Sequence, residues 1–229
     1  MAKSCLLYYI TDRKAFPGDE PTRRRRLLDK IAEAARYGVD YIQLREKDLT
    51  TRDLESLANE AVRIIRRERK LTTDPWPLTT ALMINSRVDV ALAAHAAGVH
   101  LPANDLSPQE ARDAWTKCSA GAPAREISPQ APVISVSCHS PEEVFNAAES
   151  KAAFAVFAPV FEKKDAPNST PTGLEAVRQA CSAKIPVLAL GGVTLQNADL
   201  CLQAGAAGIA AIRLFQENDI ATVIRKLRG

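Results

Sequence analysis

Short apolar runs alternate along this chain with longer segments whose apolar residues recur at helical spacing. The runs are CLLYYI (5–10), DYIQLR (40–45), ALMIN (81–85), GVHL (98–101), PVISVS (132–137), FAVFAPV (154–160), PVLALGG (186–192) and GIAAI (208–212). Each suits a strand buried on both faces. Between them, helical patterning falls at about 21–37, 51–68, 87–97, 107–116, 141–150, 173–182, 195–204 and 217–228. Ser107-Pro108 with Glu110, and Ser140-Pro141 with Glu142 and Glu143, place a capping hydroxyl before a first-turn proline and early carboxylates.

Repetition of strand and helix implies parallel pairing, because each crossover must return the chain to the same direction in the sheet. About eight such units predict closure into an α/β fold, a single (β/α)8 TIM barrel forming one domain over residues 1–229. An open doubly wound sheet is the competing arrangement, but no Gly-rich fingerprint follows the first strand. Two longer loops, at 70–80 and 117–131, precede strands and so belong to the face of a barrel away from its chemistry.

Composition acts mainly by exclusion. With 46% hydrophobic and 25% charged residues, the chain is an ordinary globular sequence and not a disordered one. A net charge of +3 gives no case for nucleic acid, and the basic run Arg23–Arg26 reads as a solvated helix face. Five scattered cysteines without a C-x-x-C pair point to a reducing, cytoplasmic setting. No signal-peptide pattern opens the chain, and no apolar run approaches the roughly 18 residues of a membrane span.

In a parallel barrel the reacting groups stand at the C-terminal ends of the strands. The first strand closes with Thr11, Asp12 and Arg13. The second offers Gln43, Arg45 and Lys47 at alternating positions, on one side of an extended chain. Two cations and an amide facing one way make an anion site; the plainer reading is a solvent-facing edge. The third strand closes with Asn85, Ser86 and Arg87, and the fourth with His100 and, beyond Pro102, Asp105. Ser137 and His139 share a parity that can bring a hydroxyl and a titrating imidazole to one mouth, although His139 can also be read as an orienting or capping residue. His95 reads as a helix-surface residue and His100 as one packed within its strand. Gly191-Gly192 ends the seventh strand and Ile212-Arg213 the eighth, where backbone amides and a helix N-terminus commonly cradle phosphate. Gly192 is expected to leave room for the anion, and Arg213 either adds a charged contact or points outward.

Taken in order, YYITDR, YIQLREKD, INSRVDVAL, GVHLPANDLSP, SVSCHSPEEV, FAPVFEKK, IPVLALGGVT and AGAAGIAAI resemble thiamine phosphate synthase and its relative, the TenI-type thiazole tautomerase, over nearly the whole chain. For the synthase, the resemblance implies coupling of hydroxymethylpyrimidine pyrophosphate to thiazole phosphate with release of pyrophosphate. It implies Gln43, Arg45 and Lys47 on the pyrophosphate and Asp105 as a ligand of Mg2+. The chain departs from that pattern twice. Ser86 stands where the synthase has a magnesium-binding Asp, and Val160-Phe161-Glu162-Lys163-Lys164-Asp165 replaces a Pro-Thr-x-Thr-Lys phosphate segment.

At both points the tautomerase branch resembles the chain better, through Asn85-Ser86-Arg87-Val88-Asp89 and Val160-Phe161-Glu162. Its reaction is a proton shift that aromatises a carboxylated thiazole phosphate, which implies an acid/base, a phosphate site and no metal or other cofactor. His139 is then the proton carrier, since an imidazole with an ordinary pKa of about 6.5 suits that task near neutrality. Asn85, Ser137, Lys164, Gly191, Gly192, Ile212 and Arg213 join the second-strand triplet as candidate substrate contacts. The expected function is therefore the tautomerase, with the synthase and a non-catalytic phosphate-ligand binder as alternatives. The expected partner is a small phosphorylated thiazole, joined by a pyrimidine pyrophosphate under the synthase reading, with a homo-oligomer left open.

Overall fold

The computed structural model describes residues 5–71, 80–119, 131–162 and 170–229. In chain order these form β1 (Leu6–Ile10), α1 (Glu20–Arg36), β2 (Tyr41–Leu44), α2 (Thr51–Leu71), β3 (Ala81–Asn85), α3 (Val88–Ala93), β4 (Gly98–Leu101), α4 (Pro108–Ser119) and β5 (Val133–Cys138). They continue with α5 (Pro141–Glu149), β6 (Phe154–Phe157), α6 (Gly173–Ala180), β7 (Val187–Ala189), α7 (Ala198–Gln203), β8 (Gly208–Ala211), α8 (Arg213–Gln216) and α9 (Ile220–Arg228). A 3-10 turn, Arg13–Ala15, follows β1. Each strand pairs in parallel with the next, and β8 pairs back onto β1, closing the barrel. The expected architecture holds, and the open sheet is excluded.

Alternation along each strand divides two cores. Leu7, Tyr9, Ile42, Leu44 and Val99 pack outward against the helices, while Tyr8, Met83, Phe154, Val156, Leu188 and Ala210 fill the interior. Because both faces are buried, the strands read in sequence as apolar runs without a polar face. Tyr8 is the hub inside, edge-on to Tyr41 at 5.9 Å and to Phe154 at 5.5 Å between ring centroids. Polar side chains point inward on one side of the ring: Gln43 on β2, Asn85 on β3, His100 on β4, and Ser135 and Ser137 on β5.

Two close approaches fix the ring. Gly98 and Gly208 open β4 and β8, and a Cβ on either would collide with the backbone carbonyl of the following strand, at Val133 and Leu6 respectively. The expected capping hydroxyls are in place. Ser107 Oγ accepts the Glu110 amide at 3.2 Å while Glu110 accepts the Ser107 amide at 2.8 Å, a reciprocal capping box; Ser140 Oγ accepts the Glu143 amide at 3.3 Å. In the basic run, Arg24 pairs with Glu60 on α2 at 2.9 Å, so part of that face ties two helices together.

Some boundaries differ from the sequence reading. The third helix ends at Ala93, and His95 lies beyond it in an exposed turn with φ of 52°, not on a helix surface. The last expected helix begins at Ile220, preceded by the separate single turn α8. The second strand ends at Leu44, so Lys47 falls in the turn beyond it. Most of the two expected long loops lies outside the described residues, although α2 runs on to Leu71 and α4 to Ser119.

Candidate active site

The C-terminal mouth is built on an ion-pair cluster beneath the first two loops. Thr11, directly after β1, accepts the Arg45 amide at 3.0 Å and donates its hydroxyl to Glu46 at 2.6 Å. Glu46, 4% exposed, also accepts the Arg13 amide and the Arg13 guanidinium at 3.1 Å. The same guanidinium bonds both Asp48 oxygens at 2.7 Å and reaches Glu20 at 2.6 Å. Asp48 is held well below the usual carboxylate range by its bonds to Arg13, whereas burial pushes Glu46 up against the pull of Thr11 and Arg13. The segment Arg45-Glu46-Lys47-Asp48 is thus sorted by charge, with its two carboxylates drawn to Arg13. This corrects the expected triplet: Gln43 and Arg45 share strand parity, while exposed Lys47 is placed by the turn.

Gln43 is 1% exposed; its Nε2 donates to Asn85 Oδ1 at 2.9 Å and its Oε1 has no partner. Asn85 Nδ2 in turn donates to Ser86 Oγ at 3.1 Å, with Ser86 held at φ of 62°. Across the interior, His100 lies between two serines, Nδ1 at 2.9 Å from Ser135 Oγ and Nε2 at 2.8 Å from Ser137 Oγ. Burial, with the nearby charge of Arg45, pushes its pKa down to about 3, so the ring is neutral. His100 therefore does more than pack within its strand. It is the only imidazole among the described residues that reaches two side-chain hydroxyls.

His139 follows β5 and is exposed. Its Nδ1 lies 2.7 Å from the Ala158 carbonyl, and its amide donates to Glu143 at 2.6 Å. A carbonyl only accepts, so Nδ1 of the neutral ring carries the proton and Nε2 presents a lone pair. The orienting contact is thus made to His139, leaving one nitrogen available for proton transfer.

On the far side, the Gly191 carbonyl accepts the Phe161 amide at 3.0 Å and the Gly192 carbonyl accepts Asn197 Nδ2 at 3.0 Å. Gly192 has φ of 65°, and a Cβ there would strike the backbone of Phe161 and Glu162. The space beside this glycine is occupied by the β6 loop, contrary to the expectation that it is kept open for an anion. Ile212 caps α8 and packs on the inner core, and Arg213 begins that helix. The expected dipole is that of one turn, because α8 has 4 residues. Lys164 lies outside the described residues.

Asp105 is exposed and its Oδ1 accepts the Leu106 amide at 2.8 Å. It lines a cleft of about 380 Å³ with Ser137, Cys138, Glu143 and Asn146, flanking the mouth between α4 and α5. Among the described residues no three His, Cys, Asp or Glu side chains converge as a metal site. Mg2+ prefers carboxylate and phosphate oxygens. Ser86 is bonded to Asn85, and Glu46 and Asp48 to Arg13, so Asp105 is the residue that would hold Mg2+ together with substrate phosphates.

The buried Glu46 and Ser135 escaped the sequence reading, as did the contact of Ser137 with His100. For Glu46 the available signal was the strict alternation of charge from Arg45 to Asp48.

No helix among the described residues is long and apolar enough to cross a membrane. The chain is 34% identical over 229 residues to thiamine-phosphate synthase of Syntrophomonas wolfei, covering 97% of this chain and 94% of that one. It is 36% identical over 225 residues to thiamine-phosphate synthase of Methanoculleus marisnigri, covering 97% and 93%. Thiamine phosphate pyrophosphorylase from Pyrococcus furiosus superposes with a TM-score of 0.73 at 28% identity, covering 99% of this chain and 95% of that structure. The profile of the thiamine monophosphate synthase (TMP-TENI) family matches residues 7–215, and with the barrel and its mouth in place the chain belongs to that enzyme family.

Proposed function

We propose that the chain is a thiazole tautomerase of the TenI type, moving a proton within a carboxylated thiazole phosphate so that the ring becomes aromatic. The observation that carries this reading is the chemical make-up of the mouth. It offers an oriented imidazole with an Nε2 lone pair, hydroxyls and cations, while the carboxylates Glu46 and Asp48 are bonded to Arg13 and Ser86 is bonded to Asn85. The reaction removes one proton from the substrate and returns one elsewhere on it, so it consumes no co-reactant. His139 Nε2 takes the proton and gives it back. Arg45 and Lys47 hold an anionic group of the substrate on one side, and Gly191, Gly192, Ile212 and Arg213 flank its phosphate on the other.

The synthase is the second reading, supported by the names of the relatives and by Gln43 and Arg45 together at the mouth. Purified protein assayed on both reactions, with and without a chelator, separates the two. The tautomerase reading expects turnover that survives chelation and falls by about 10²-fold or more in His139→Ala. Metal-dependent coupling at about 1 s⁻¹ or faster, lost in Asp105→Asn, overturns it in favour of the synthase. Tight binding of thiazole phosphate without turnover in either assay identifies a binder.

A further inference from the structure

The hydroxyl of Ser137 stands between a buried imidazole and the mouth, and what it presents to a ligand depends on where that imidazole keeps its proton. If His100 Nε2 carries the proton, it donates to Ser137 Oγ and the Ser137 hydroxyl is free to donate outward. If Nδ1 carries it, Ser137 must donate inward to Nε2 and turns a lone pair to the ligand. The structure contains a reason for one choice. Behind His100 lies Ser135, 0% exposed, whose hydroxyl has His100 Nδ1 as its side-chain partner at 2.9 Å. A proton on Nδ1 would leave this buried hydroxyl proton without an acceptor, so Ser135 spends its proton on His100 Nδ1. Nδ1 is then an acceptor, and the ring proton sits on Nε2.

We propose that His100 is a positioning residue, held as the neutral Nε2–H tautomer, which commits the Ser137 hydroxyl to donating into the mouth. Donors then run in one direction from Ser135 through His100 to Ser137, ending on an acceptor-only ligand such as a carboxylate or phosphate. What Ser137 meets rests on the anionic substrate proposed above; the tautomer itself does not. The register supports the arrangement, since His100 and Ser135 are directly paired residues of β4 and β5.

The chain has 3 histidines, so ring nitrogen signals can be assigned by single substitutions. Long-range 15N–1H correlation spectra of the full, ligand-free protein should show His100 as the Nε2–H tautomer throughout pH 5 to 8. An Nδ1–H tautomer or an imidazolium in that range overturns the proposal, and this arm needs no variant. In folded Ser135→Ala the Nδ1–H form should appear, and the dissociation constant for carboxythiazole phosphate should rise by about 5- to 10-fold, the scale of one hydrogen bond. An unchanged tautomer in that variant also overturns it. Failure of the tautomerase assay with the expected tautomer present would count against the proposed reaction, not against the positioning role.

Discussion

Thr11 holds the backbone of Arg45 through its side-chain oxygen at 3.0 Å, tying the loop after β1 to the cation at the end of β2. Thr11 is 0% exposed, so water cannot replace that bond. Thr11→Val keeps the shape and removes the hydroxyl, leaving the Arg45 amide without a partner and Glu46 Oε1 with the Arg13 amide alone. Affinity for thiazole phosphate should fall by about 10-fold, while Thr11→Ser should keep most of it. Titration calorimetry on folded variants checks this; equal affinities for Thr11→Val and wild type would show that Arg45 is positioned by other contacts.

Gly192→Val should damage folding before binding. Its Cβ would meet the Phe161–Glu162 backbone, and the positive φ adds strain for a branched side chain. A loss of about 2 kcal/mol or more in urea unfolding is expected. A variant as stable as wild type with impaired phosphate affinity would restore the open-cradle expectation.

Stability should fall on acidification through His100. Its pKa is about 6.5 in the unfolded chain and about 3 in the barrel, so below pH 6.5 the unfolded state binds the extra proton. The contribution is complete above about pH 6.5 and is lost as pH drops toward 3, by up to about 1.4 kcal/mol per pH unit. Urea unfolding of wild type and His100→Gln between pH 7 and pH 4 isolates the effect. Parallel curves would contradict it.

Arg228 clamps the opposite end of the barrel. It donates to the carbonyls of Cys5 at 2.9 Å and Gly38 at 2.8 Å and pairs with Asp40, which itself accepts the Leu7 amide at 2.7 Å. Arg228→Ala should cost about 2 kcal/mol and lower Tm by about 4–8 °C. The Michaelis constant should stay unchanged, since the residue sits away from the mouth. Calorimetric melting and steady-state assays on one preparation test both halves.

The barrel was legible because strands buried on both faces leave apolar runs at regular intervals, and GVHL or GIAAI needs no partner to be recognised. α8 was not, since four residues are too few to display a helical period. Lys47 shows the limit of parity: the alternation from Gln43 is real in the letters, but the extended chain that gives it meaning stops at Leu44. His100 shows a different limit. Its serine partners lie on β5, and their meeting depends on inter-strand register, which a single sequence does not encode in any local window.

The two glycines that open β4 and β8 have matching surroundings. Ala96-Ala97-Gly98-Val99 is echoed by Ala206-Ala207-Gly208-Ile209. In both copies a left-handed residue, His95 or Gly205, turns the chain out of the preceding helix. The Ala96 amide bonds back to Ala91 at 2.9 Å, as the Ala206 amide does to Cys201 at 3.0 Å. The next amide along then reaches the neighbouring strand at 2.8 Å in each case, at Leu82 and at Val187. β4 and β8 lie diametrically opposite in the ring. The same joint recurs before β6, where Lys151 is left-handed, the Ala152 amide bonds back to Ala147 at 2.9 Å and the Ala153 amide reaches Ile134 at 2.7 Å, so one backbone device returns the chain from helix to strand at three points of the ring, whichever side chain occupies its left-handed position.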